Sequence, residues 1–170
     1  IGGKLTATAT TGGITQGGVI TVGADGSSFT TSTANEDIDL STSTNVLGGK
    51  TVSLNTNGAT GDAAIKGDTL KFAASTIGGK LTATDPTSGV KEGGVLCGGA
   101  HGGRCTVSTS GQAIDLSTST NVFNAKDVAF TTSGAAGDVA IKGDALKFAT
   151  TGIGGKLTAT ATTGGITQGG

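Results

Sequence analysis

The stretch IGGKLTATATTGGITQGG fills residues 1–18 and returns unchanged at 153–170. A looser copy, IGGKLTATDPTSGVKEGG, begins at Ile77. These three starts divide the chain into a first repeat (1–76), a second (77–152) and the opening of a third (153–170), read as one continuous array. The two full repeats align without a gap and share 44 identities over 76 positions. Self-similarity at a fixed period marks stacked architectures, in which each unit buries its apolar face only against its neighbours. The unchanged return after 152 residues, against a looser one after 76, implies a higher period in which two variant repeats alternate.

Apolar residues within a repeat come in short alternating runs, the period of a β-strand. The first repeat reads KLTATA (4–9), GITQ (13–16), VITV (19–22), SFTTST (28–33), DIDLST (37–42), NVLGG (45–49), TVSLNT (51–56), DAAIKG (62–67) and TLKFAA (69–74). Gly-Gly, Asn-Gly and Gly-Asp pairs separate them and supply turn chemistry. No segment carries apolar residues at helical spacing, so no α-helix is expected. Nine runs group in threes, predicting a parallel β-helix of about 25 residues per coil and roughly seven coils. At about 4.8 Å per coil the rod would be on the order of 33 Å long. Leu5, Ile14, Ile20, Phe29, Ile38, Leu40, Val52, Leu54, Ile65, Leu70 and Phe72 would point inward, with Thr and Ser outward. The Gly pairs would turn the corners, where positive φ is often needed. LSTSTN, at 40–45 and 116–121, reads as a stacking layer. Hairpin stacking competes, but two-residue turns are few.

Composition agrees with a thin, repeated core. There are 33 Gly, five Phe and no Trp, Tyr or Met. Ile, Val, Leu and Phe number 35 of 170 residues, too few to pack one compact globule well. The net charge of −1 leaves no basic footprint for nucleic acid. No apolar run is long enough to span a bilayer. Ile1 is not a natural start, so the chain reads as part of something longer.

The two repeats differ most over residues 85–113, where VITVGADGSSFTT (19–31) becomes VLCGGAHGGRCTV (95–107). Both cysteines, the single His and the single Arg fall here. In the gapless alignment Cys97 replaces Thr21, and Cys105 replaces the inward Phe29. Three readings stay open. Cys97 and Cys105 form a candidate disulfide, as in secreted chains, making up for the lost Phe. Cys97, His101 and Cys105 form an incomplete zinc set, one ligand short of a structural site. Or both thiols are free. Strand parity puts Cys97 outward and Cys105 inward, so a bond requires the loop to re-aim one of them. GGAHGGR is either a solvated corner or a contact loop presenting His101 and Arg104. The carboxylates flanking AIKG (Asp62, Asp68, Asp138 and Asp144) read as turn or Asx caps, since a calcium-binding nonapeptide register is absent. No catalytic constellation, metal site or cofactor is expected.

The ordered series TIGGKLTAT…GGVL (76–96, with its fuller form at 1–22), NEDIDL…NVLGGKTVSL (35–54) and DTLKFAASTIGGKLT (68–82) resembles the repeats of large bacterial exoproteins of the filamentous haemagglutinin type. The resemblance covers the whole chain. It implies a right-handed parallel β-helix, export through an outer-membrane transporter of the two-partner type, and a secreted or cell-surface location. The implied role is the structural shaft of an adhesin or extracellular filament. Its partners would be further copies of the repeat, and host or cell-surface glycans or proteins. An ice-binding or carbohydrate-binding β-helix is the alternative, motivated by TAT (6–8), TTST (30–33) and STST (41–44).

Overall fold

The computed structural model of the chain describes residues 2–96 and 104–169. Its elements are all β, with no helix among the described residues. Among the described residues, sixteen strands alternate strictly between two parallel eight-stranded sheets. The first sheet holds β1 (Leu5–Ala9), β3 (Ser27–Ala34), β5 (Thr51–Asn57), β7 (Lys71–Phe72), β9 (Val90–Glu92), β11 (Ile114–Asn121), β13 (Val139–Gly143) and β15 (Leu157–Ala161). The second holds β2 (Ile14–Thr15), β4 (Ile38–Val46), β6 (Ala63–Asp68), β8 (Lys80–Asp85), β10 (Arg104–Thr109), β12 (Asp127–Thr131), β14 (Leu146–Phe148) and β16 (Ile166–Gln168). Each strand hydrogen-bonds to the strand two places on in sequence. The chain is therefore a β-solenoid of about seven turns.

Each coil contains two strands rather than three, and coils recur about every 22 residues rather than 25. Two of the nine runs form no strand of their own. VITV (19–22) contributes one bridge, Thr21 to Val46. In NVLGG (45–49) the first two residues finish β4, and the rest turns the corner. Seven strands then remain per repeat: β1–β7 in the first, β8–β14 in the second.

Seven is odd, so each repeat advances the solenoid by three and a half coils and exchanges the sheets. LTATA is β1 in the first sheet, LTATD lies in β8 in the second, and LTATA returns as β15 in the first. The period of 152 residues is thus the shortest that returns a motif to its own face.

The core lies between the sheets. Phe29, Ile38, Leu40, Val52, Leu54, Ile65, Leu70 and Phe72 are buried, and the second repeat matches them with Ile114, Leu116, Val128, Phe130, Ile141 and Leu146. Leu5, Ile14 and Ile20, in the first coil, are half-buried and pack against this cluster. Fully burying such a side chain contributes about 1.5–3 kcal/mol, which a thin core collects coil by coil.

Strand register corrects the gapless alignment. Leu5 pairs with Ser27 and Ala7 with Phe29. The equivalent pairs in the second repeat are Leu81 with Cys105 and Ala83 with Val107. Cys105 is therefore the structural equivalent of Ser27, and Val107 takes the position of Phe29. The second repeat has two extra residues before β10 and two fewer after it. In the first repeat those two residues form a bulge, where the register slips between Thr30 and Ala34. The notion of a core Phe lost at Cys105 does not hold.

The Gly pair of IGGK does not rely on positive φ. Gly78 and Gly79 lie where the next coil touches the last. A Cβ on Gly78 would sit 1.6 Å from the Gly58 carbonyl oxygen, and one on Gly79 2.2 Å from Oδ1 of Asp62. That same Asp62 oxygen accepts the Lys80 amide at 2.6 Å. In the second repeat Asp138 accepts the Lys156 amide at 2.7 Å beside Gly155. Asp68 and Asp144 reach the other way, accepting the Leu47 amide at 2.5 Å and the Phe123 amide at 2.7 Å. These four carboxylates are clamps between coils, tying AIKG to both neighbours, and not caps of their own turns.

Candidate functional site

LSTSTN is not a flat stacking layer. Register slips between Leu40 and Asn45 against β6, and between Leu116 and Asn121 against β13. Five steps on the bulged strand oppose two on its partner. The chain arches outward over Ser41–Thr44 and Ser117–Thr120, leaving carbonyls without ladder partners. A buried asparagine closes each arch from inside. Asn45 donates to the carbonyls of Leu40 at 2.9 Å and Lys66 at 3.0 Å. Asn121 donates to those of Leu116 at 3.0 Å and Lys142 at 3.1 Å. Their side-chain oxygens accept from the preceding coil: the Ile20 amide at 2.9 Å for Asn45, the Leu96 amide at 2.6 Å for Asn121. Asn45 and Asn121 occupy opposite sheets.

One residue distinguishes the two corners. Gln16 donates through Nε2 to Asn45 Oδ1 at 2.5 Å and to the Gly18 carbonyl at 2.8 Å. Its equivalent is Glu92, 6% exposed. Glu92 accepts from Asn121 Nδ2 at 2.7 Å and from the Ser119 backbone amide. Burial pushes its carboxyl above the ordinary value of 4.5; the Ser119 and Asn121 hydrogen bonds oppose that, and the nearby Asp115 charge adds to it. A carboxylate replacing an amide at a buried corner is a distinct chemical choice. The signal was present in the sequence, as ITQGG against VKEGG, each 29 residues before its asparagine.

On the outside of the same arches, Asp39 accepts from the Ser41 hydroxyl at 2.6 Å and the Ser41 amide at 3.0 Å. Those bonds hold its carboxyl below the usual value. Asp115 and Ser117 repeat the arrangement at 2.6 and 3.2 Å. The second repeat also has a buried carboxylate of its own, Asp85. It accepts the Leu70 amide at 2.7 Å, and the Thr87 and Ser88 amides at 2.8 and 2.9 Å.

The cysteine readings fall mostly elsewhere. Cys97 and His101 lie outside the described residues, as does the proposed disulfide. Arg104 and Cys105 are placed only by backbone, in β10, where Cys105 stands between Leu81 and Val128 in register. No group of three or more metal-ligating side chains occurs among the described residues. A groove beside Leu157 and Ile166, walled by Phe148 and Ile153, is the exposed flank of the last coil's core.

A family model described as repeats of unknown function (DUF5649) matches residues 1–59, 60–130 and 136–170. No curated protein and no solved structure matches the chain.

Proposed function

The chain belongs to the family of repeats of unknown function (DUF5649), and from that premise we propose that it is a non-enzymatic shaft of a secreted bacterial adhesin or extracellular filament. The carrying observation is that coils stack across the repeat junctions as they do within a repeat. β6 pairs with β8, Ala63 to Leu81, and β13 with β15, Val139 to Leu157. The Asp62 and Asp138 clamps span these junctions. A module joined to its neighbour without a domain boundary lengthens a rod with each copy. Scarcity of catalytic side chains, with one His and one Arg, fits a scaffold. Resemblance to filamentous haemagglutinin-type repeats supports export through an outer-membrane transporter and display at the cell surface.

Tandem arrays of one, two and three 152-residue units test the shaft. Small-angle scattering should show the maximum dimension growing by about 34 Å per unit at constant cross-section. Growth of the cross-section instead would remove the reading. Immunogold labelling of the native protein and attachment assays with a repeat-deleted strain test its placement and adhesive role.

The ice-binding and glycan-binding readings rest on outward rows such as Thr6–Ser28–Ser53 and Thr8–Thr30–Asn55. Several hydroxyl and amide groups on that face already hydrogen-bond within the protein, as Ser53 to the Ala74 carbonyl and Asn55 to Ser53. Lys71 and Lys91 then interrupt the face. Thermal hysteresis at micromolar concentration would reverse this ranking.

A further inference from the structure

We propose that Glu92 makes the second repeat's asparagine corner an acid-stabilised joint, whereas the first repeat's Gln16 corner is indifferent to pH. The geometry carries the argument. In the first repeat Gln16 both accepts and donates: Oε1 accepts from the Ser43 amide and from Asn45 Nδ2, each at 3.5 Å, while Nε2 donates to the Gly18 carbonyl and Asn45 Oδ1. The sequence-equivalent acceptors are the Gly94 carbonyl and Asn121 Oδ1. A carboxylate at position 92 accepts from Ser119 and Asn121 but has no hydrogen to donate. Only its protonated form restores a donor on the side that Gln16 serves.

Among the described residues, no cation is paired with the charged form. Lys91, on the same strand, and Lys71, in register beside it on β7, are exposed on the outer face. Lys142 of β13 offers the corner its carbonyl, accepting from Asn121. Phe72 is the register neighbour of Glu92 itself. Among the described residues, the charged group that acts on Glu92 is Asp115 of β11, and it disfavours ionisation. The upward displacement of the carboxyl agrees with this. A carboxyl whose folded titration is raised gives stability that is fully present below its unfolded value of 4.5 and is lost as pH rises through the folded value. Asn121 also holds the Leu96 amide, so loosening spreads to the segment that follows β9. Glu92 lies in the first sheet and Gln16 follows β2 of the second, so the pH response acts on one face of the rod.

The test uses the whole chain with Glu92→Gln and Gln16→Glu variants. Carboxyl-carbon NMR should show Glu92 titrating above 4.5. Hydrogen-exchange protection at the Leu96 amide, corrected for intrinsic rate, should fall between pH 4 and 7, about tenfold for each unit of that displacement. Glu92→Gln should flatten the profile and equal the parent below pH 4. Gln16→Glu should transfer the pH dependence to the Ile20 amide. Titration of Glu92 at or below 4.5, or the same profile in parent and Glu92→Gln, would overturn the proposal.

Discussion

At the scale of single residues, two small side-chain choices hold the coils in register. Asn45 and Asn121 each satisfy one carbonyl of the arch, one carbonyl of the following coil and one amide of the preceding coil. Asn45→Ala leaves these three groups unpaired and should cost at least about 3 kcal/mol, since each unsatisfied buried group costs about 1–3. Asn121→Ala should cost more at pH 7, because it also strips a donor from the buried Glu92. Urea unfolding with a fitted midpoint and slope measures both. Gly78→Ala should be worse than either: its Cβ meets a backbone oxygen of the coil below at 1.6 Å, and backbone cannot swing aside. Loss of the cooperative thermal transition is the expected result. The inward aliphatics could be read from alternation alone. The asparagine plugs could not, because the partners that tie them to other coils are backbone groups 21–25 residues away.

Among the elements, arches and bulges set lengths that the sequence pattern hides. Alternation identifies the strand segments, yet VITV and NVLGG look as strand-like as their neighbours and form no strand of their own. Their partners across the coil decide that, and a one-dimensional pattern carries no partner information. The gapless repeat alignment misled for a related reason: two length changes cancel, the bulge after Thr30 and the longer connection before β10. Thr31 and Thr109 reveal the true equivalence, since both are buried and bond a corner carbonyl ahead, Glu36 at 3.1 Å and Gln112 at 2.5 Å. Deleting Thr33 and Ala34 together should convert the first corner into the second's form. Asn35, at φ 66°, would then stand where Gly111 stands at φ 67°. The double deletion should keep a cooperative melt within a few degrees of the parent. Deleting Thr33 alone gives a corner of neither length and should lower the midpoint further. Differential scanning calorimetry separates the two.

For the whole molecule, the odd strand count governs how surfaces are arranged. Thr6 and Thr158 share the first sheet, whereas Thr82 lies in the second. With Cys97 and Cys105 replaced by Ser, spin labels at Thr6 and Thr158 should lie about 34 Å apart, seven strand spacings. The Thr6–Thr82 and Thr82–Thr158 distances should equal one another, and each should exceed half the long distance. Three collinear labels would contradict the alternation. The parity also bears on heredity. Recombination between tandem repeats gains or loses whole units. An event that adds or drops one 76-residue unit would carry every downstream surface to the back of the rod, and events in twos would leave the display intact. The unchanged return of residues 1–18 at 153–170, past a diverged middle copy, accords with a unit counted in pairs.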